Sequence, residues 1–212
     1  MNNAERIRNE KLGASLIKAL TLRHFDAYYC ASSSEAAEKI LSLIPKTDVV
    51  SWGGSMTMEA LGVIDRVKKD GRRVIDRSTA QSQEEKIEIM RRALLCDTYL
   101  TGANAISEDG EIVNVDGNGN RVAAMTFGPK SVIVACGMNK VVKTAEDALS
   151  RARNTAAPVN AQRFDIRTPC KTTGSCADCK STDSICSYIV RTRLCKPAGR
   201  IKVVLVGEAL GF

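Results

Sequence analysis

The chain has little of what several large function classes require. Its 212 residues include one histidine, one tryptophan, four tyrosines and four phenylalanines. The lone His24 lies in an amphipathic N-terminal stretch, where a structural role is the simpler reading, and no Ser/His/Asp arrangement can be assembled around it. So few rings leave little on which bases could stack, and the basic residues cluster only at Lys68-Lys69, Arg72-Arg73 and Arg91-Arg92, so nucleic-acid binding is not expected. No segment approaches the roughly 18 consecutive apolar residues of a bilayer-spanning helix. The N-terminal stretch is also too polar for a secretory leader, and a cytoplasmic chain with no membrane partner is expected. Internal repeats, low-complexity tracts, G-x-G-x-x-G and P-loop motifs are absent as well, which leaves no ground for a nucleotide site.

What is present is enough apolar sequence, 44% of residues, to bury one full core with a small appendage. Apolar residues recur at helical spacing over 3–22 and 33–44, the second stretch behind Ser32-Ser33-Ser34, which offers a cap followed by Glu35 and Glu38. Asp48-Val49-Val50-Ser51-Trp52 reads as a strand ending at Gly53-Gly54, after which Met58, Leu61, Ile64 and Val67 repeat as on a helix. A strand over 73–76 and a helix over 82–95 follow. Thr98–Thr101 then reads as one arm of a hairpin, with its turn at Glu108-Asp109-Gly110 and its second arm at Ile112–Val115. A buried strand over 131–135, a helix over 141–154 and a last strand over 202–207 complete the pattern. Alternation of this kind predicts an α/β fold with a mainly parallel sheet between flanking helices. At about Phe164 the composition turns to Cys, Thr, Ser, Lys and Asp, so 164–196 is expected to be a cysteine-rich insertion before the last strand, and 1–163 plus 197–212 the main domain.

Eight cysteines divide unevenly. Cys30, Cys96 and Cys136 sit in apolar or helical contexts, as small buried hydrophobes do. Cys170-x5-Cys176-x2-Cys179-x6-Cys186 is different, because the C-x-x-C pair lets two thiolates converge on a metal that the outer pair can close around. Thiolates select zinc or an iron–sulfur cluster. The spacing matches neither ferredoxin signature, and the second C-x-x-C of a zinc ribbon is missing, so the metal stays open. Two disulfides or free thiols in a mobile loop are the structural alternatives, and Cys195 could replace an outer ligand. Lys171, Lys180 and Arg191 stand near enough in sequence to offset thiolate charge.

Two polar loops are candidates for ligand contact. In Gly53-Gly54-Ser55-Met56-Thr57 the glycines allow close backbone approach, the following helix offers N–H groups to an anion, and Ser55 and Thr57 add hydroxyls. Asp116-Gly117-Asn118-Gly119-Asn120-Arg121 suits left-handed backbone, and its Arg121 could pair a carboxylate or phosphate; a tight polar turn is the plainer reading. The net charge of +7 also favours an anionic ligand or an acidic partner. Glu59 could act as a base, although an acidic residue in a first helical turn has a structural reason to be there.

Taken in order, Ser51–Thr57, Thr101-Gly102-Ala103-Asn104-Ala105-Ile106, Glu108-Asp109-Gly110-Glu111, Asp116–Arg121, Gly137-Met138-Asn139-Lys140 and Ala156-Ala157-Pro158-Val159-Asn160 resemble the LUD domain of lactate-utilisation proteins of the LutC/YkgG type. The resemblance implies a NagB/RpiA/CoA-transferase-like fold, with Gly53, Gly54, Ser55, Thr57, Asn104, the 116–121 loop, Asn139 and Lys140 facing one cleft. It also implies a connection to oxidation of L-lactate to pyruvate, alongside iron–sulfur partner proteins. The cysteine cluster departs from the plain pattern and resembles a variant set within the family. Three readings follow: a redox-associated protein that binds a small anionic metabolite and passes electrons through a four-cysteine centre, an isomerase- or acyl-transferase-like enzyme with a structural zinc, and a regulatory subunit without turnover. Self-association as a homo-oligomer is compatible with each.

Overall fold

The computed structural model describes residues 2–212. The chain runs α1 (Asn3–Leu22), β1 (Asp26–Cys30), α2 (Ser33–Ser42), β2 (Val49–Trp52), α3 (Met56–Ala60), α4 (Val63–Lys69), β3 (Arg73–Ile75), α5 (Gln83–Ala93) and β4 (Thr98–Gly102). It continues through β5 (Ala105–Ser107), β6 (Ile112–Asp116), α6 (Asn120–Thr126), β7 (Ser131–Gly137), β8 (Val141–Val142), α7 (Ala145–Arg151), α8 (Ala157–Ala161), α9 (Pro169–Thr173), β9 (Tyr188–Thr192) and β10 (Ile201–Val206). Side-chain caps set several helix starts. Ser32 Oγ accepts the Glu35 N–H at α2, and Ser82 Oγ accepts the Glu85 N–H at α5.

Six strands form a wholly parallel sheet in the order β1-β10-β7-β4-β2-β3. Its centre is written in β-branched residues, and their alternation fills both faces. Val132, Val134 and Cys136 of β7 pack with Leu16 and Leu20 of α1 and Met125 of α6, whereas Ile133 and Ala135 pack with Ile40 of α2, Met58 of α3 and Val67 of α4. Each fully buried side chain of this size contributes roughly 1.5–3 kcal/mol. The α/β architecture predicted from periodicity is the one observed, and the last strand returns to lie inside the sheet, between the edge strand β1 and β7. No helix is long and apolar enough to cross a membrane among the described residues.

A second sheet, in the order β8-β5-β6-β9, packs under α7 through Ala105, Val113, Val115, Ala148 and Ala152. Here the hairpin expectation needs correction: its first arm is Ala105–Ser107, and Thr98–Thr101 belongs to a central parallel strand. The helix expected from residue 141 begins at Ala145 behind the capping box of Thr144 and Asp147, and Val141–Val142 forms β8 instead. That helix then passes through a π-helical turn, Ala152–Ala156, into α8. β9 arises inside the cysteine-rich segment and pairs antiparallel with β6 from Tyr188 to Thr192, tying that segment's end to the small sheet. Between 164 and 187 only Thr168 is buried, so this stretch has almost no apolar core of its own.

Candidate functional site

Parallel strands leave their carboxyl ends on one edge, and the loops leaving those ends converge there. Residues 53–57 follow β2, Ala103-Asn104 follow β4, Met138–Lys140 follow β7 and Gly207–Phe212 follow β10. Gly54, Ser55, Thr57, Asn104, Arg121 and Lys140 line one polar cavity of about 70 Å³, with Asn160, Arg163 and Phe212 across from them. Gly102 at the end of β4 makes room for the loop after β2, because an added Cβ would lie 2.8 Å from Ser55 Oγ. The cavity opens into an outer groove of about 640 Å³ that includes Arg77, Lys86, Asn118, Asn120 and, from the cysteine-rich segment, Asp165, Thr182, Asp183 and Ser184.

Lys140 is the most unusual group in the cavity. Its side chain is buried, and Nζ donates to Thr57 Oγ1 at 2.9 Å and to the Ala103 carbonyl at 3.3 Å. No ion pair joins it to a carboxylate among the described residues. Burial pulls its pKa below the ordinary 10.5, and the cations Arg151 and Arg121 push the same way against the Cys136 thiol.

Arg121 is held very differently. Its guanidinium donates to Asn114 Oδ1 at 3.1 Å, Asn104 Oδ1 at 3.2 Å and the Val115 carbonyl at 2.6 Å, with Asp116 at 3.6 Å as counter-ion. Expected as a surface anion clamp, it is a packed strut whose side chain is only 14% exposed and whose donors are largely spent on protein. Asn104 is fixed in turn, accepting from the Val115 N–H at 3.0 Å. Arg77, which belongs to no motif, lies over Gly54 in the outer groove. Among the described residues its guanidinium makes one hydrogen bond, to Met90 Sδ, and no ion pair.

The other expected ligand residues divide by role. Gly53 packs against the Arg121 stem. Asp116 caps α6, accepting the N–H groups of Gly119, Arg121 and Val122. Gly117 and Gly119 approach Ile185 and Tyr188, so they seat the cysteine-rich segment, and Asn118 and Asn120 stand in the outer groove. Asn139 lies outside the cavity wall and clamps the C-terminal stretch, accepting the Leu210 N–H at 3.1 Å and donating to the Gly211 carbonyl at 3.3 Å. Glu59 is exposed and lines neither the cavity nor the groove, and α3 is a five-residue turn whose Met58 N–H is already taken by Ser55.

Cys170, Cys176, Cys179 and Cys186 line a second cavity, of about 60 Å³, closed by Arg153, Ala157 and Pro158. All four are free thiols. Burial pushes Cys186 up to about 11, and the other three thiols add to the rise, so each of them stands within electrostatic reach of Cys186. Among the described residues no group of three or more His, Cys, Asp or Glu side chains is set to hold a single metal ion. Arg153, in the π-helical turn, donates to Asp178 and lies 3.9 Å from Cys176 Sγ. Cys195 is no substitute ligand. It is buried in the core, where its sulfur accepts the Ile201 N–H at 3.2 Å. Helix α8 separates the cavities, presenting Pro158 to the thiols while Asn160 lines the polar cleft.

A wholly parallel sheet between helices, with a polar cleft at its strand ends, defines an α/β protein of the open-sheet kind. The LUD domain profile matches residues 14–206, and the chain belongs to the LUD domain family. Among solved structures, a DUF162 family protein from Deinococcus radiodurans is similar over 95% of this chain and 97% of its own, with 15% identity and a TM-score of 0.52. Ribose 5-phosphate isomerase A from Neisseria gonorrhoeae is similar over 53% of this chain and 54% of its own, with 16% identity and a TM-score of 0.35. The translation initiation factor eIF-2B of Pyrococcus horikoshii OT3 is similar over 55% and 50%, with 18% identity and a TM-score of 0.36. No curated protein matches the chain in sequence.

Proposed function

We propose that this LUD-domain protein binds a small organic anion, of the hydroxy- or oxo-carboxylate class to which lactate and pyruvate belong, and couples it to a thiolate-bound metal centre. The observation that carries the reading is adjacency. One short helix, α8, lines both the polar cleft with its unpaired Lys140 and the cavity shared by four thiols. Among the described residues Arg121, Lys140 and Arg163 line the cleft and no acidic side chain does, which favours an anionic ligand over a neutral one.

The donor set fits a metal centre, because four thiolates are the ligands of zinc and of iron–sulfur clusters. Four thiols around one cavity could close on a single zinc or on a polynuclear iron–sulfur cluster. Such a cluster would supply one-electron chemistry. Cys170, Cys176, Cys179 and Cys186 would hold it, and Arg153 would offset thiolate charge at Cys176.

Anaerobic purification followed by iron, zinc and acid-labile sulfide analysis tests this reading, with visible spectra recorded during titration by L-lactate and by pyruvate. Iron with sulfide, broad visible absorption and a saturable spectral change on ligand addition are expected. A colourless protein with one zinc would overturn the redox half, leaving the anion site beside a structural staple. Segment 164–187, with so little core, has an evident need for such a staple.

A further inference from the structure

We infer that Lys140 is a covalent catalyst, forming a Schiff base with the carbonyl carbon of a small 2-oxo acid; this rests on the reading of the polar cleft as an organic-anion site. Three features of the cleft converge on it. First, Lys140 is buried and has no acidic partner among the described residues, whereas Lys171 and Lys202, whose Nζ groups likewise donate only to carbonyl or hydroxyl oxygens, are not buried and keep water at the charge. Second, its two hydrogen bonds, to Thr57 Oγ1 and the Ala103 carbonyl, are ones that a neutral amine can donate with both of its N–H groups, which leaves the lone pair as the nucleophile. Third, the charged groups acting on it are Arg121 and Arg151 together with the Cys136 thiol, and the two cations disfavour protonation.

The cavity also suits such a substrate by size and polarity. At about 70 Å³ the cavity is far smaller than the sites that take drug-sized ligands, so it selects a ligand of a few heavy atoms. Arg163 and Asn104 line the same walls and offer donors for a carboxylate. In the step itself, the Lys140 nitrogen attacks the ketone carbon, forming the C–N bond while the carbonyl oxygen takes up a proton. Loss of that oxygen as water, with a second proton, leaves the protonated imine. Thr57, hydrogen-bonded to Nζ, is placed to relay a proton between the amine and the departing oxygen. No oxidant or reductant enters.

The test is reductive trapping of the full-length protein with pyruvate or glyoxylate and sodium cyanoborohydride at neutral pH, followed by peptide mapping. Hydride reduces the C=N bond, so the modified peptide gains the mass of the 2-oxo acid less one oxygen atom. The expected result is an adduct concentrated at Lys140, with a peptide occupancy at least tenfold above that of exposed lysines such as Lys11 and Lys180. K140R should carry no adduct at this position while retaining its circular dichroism spectrum. Binding of pyruvate by calorimetry without enrichment at Lys140 would overturn the covalent role and leave the anion site standing. Absence of binding to any small oxo- or hydroxy-acid would overturn the site reading itself. If K140R proves unstable, the peptide map of the parent protein decides the question by itself, since a structural lysine would stay unmodified there.

Discussion

At the scale of single residues, two cations in one cleft have opposite natures. Arg121 is satisfied by protein, so its removal should be felt mainly in stability. Arg121→Ala would strip the counter-charge from Asp116 and leave the Val115 carbonyl and the Asn104 and Asn114 side-chain oxygens short of a donor. Removing one partner from a mostly buried, hydrogen-bonded pair costs on the order of 3 kcal/mol. For a chain of this length that is a fall in Tm of roughly 6–12 °C, to be read by thermal unfolding. A change under about 2 °C would return Arg121 to the role of a ligand clamp. Lys140 is the reverse case, a charge whose burial works against the folded state. Its folded pKa lies below the ordinary 10.5, so between the two values the unfolded chain binds more protons than the folded one, and stability rises with pH across that window. Denaturant midpoints of the parent and K140M at a series of pH values should therefore show the parent gaining on the variant as pH climbs toward 10.5. A parallel pair of curves would mean that Lys140 keeps its ordinary pKa.

At the scale of elements, the residues that were hard to read are those whose polar side chains are satisfied internally. β4 is buried along its length, the mark of a central parallel strand, yet Thr98 and Thr101 disguise it as half-exposed. Thr98 Oγ1 donates to Asp48 and Thr101 Oγ1 to the Gly102 carbonyl, so both hydroxyls are satisfied indoors, and the strand reads in sequence as the outer arm of a hairpin. α6 was hidden for a related reason. Its N-terminal N–H groups are capped from Asp116, four positions before its first residue, so a sequence that reads as a polar turn is also a helix start. β9 escaped notice because its Tyr188-Ile189-Val190 core lies within a Cys- and Ser-rich stretch, and only pairing with β6 makes it a strand. By contrast, β7, β10, α2 and α5 were legible, since β-branched runs and Ser caps act locally. The cleft was legible in its loops and in the motif that ends at Asn160, but Arg77 and Arg163 carry no motif and join it only through tertiary packing.

At the scale of the whole molecule, the four-thiol cavity and the polar cleft share more than α8. The segment between 164 and 187 supplies Asp165, Ile166, Thr182, Asp183 and Ser184 to the outer groove and Cys170, Cys176, Cys179 and Cys186 to the thiol cavity, with Ser184 lining both. Because this stretch has almost no buried core, a metal held by its thiols would supply much of the free energy that orders it. Whatever orders that wall must alter the affinity of a ligand lying against it, and linkage makes the effect reciprocal. Stripping the metal with a chelator, or replacing Cys176 and Cys179 together by Ser, should therefore weaken organic-anion binding by about fivefold or more, the lower end of ordinary coupling energies. The same treatment should open the segment to protease between 164 and 187 while leaving the parallel sheet folded, since no cysteine of the cluster belongs to its core. Calorimetric titration of pyruvate into the loaded, stripped and doubly substituted proteins, with limited proteolysis of each, separates the possibilities. Equal affinities with a newly cleavable segment would confine the metal to a local staple, and equal affinities with equal protease resistance would mean that the cysteine segment is ordered without it.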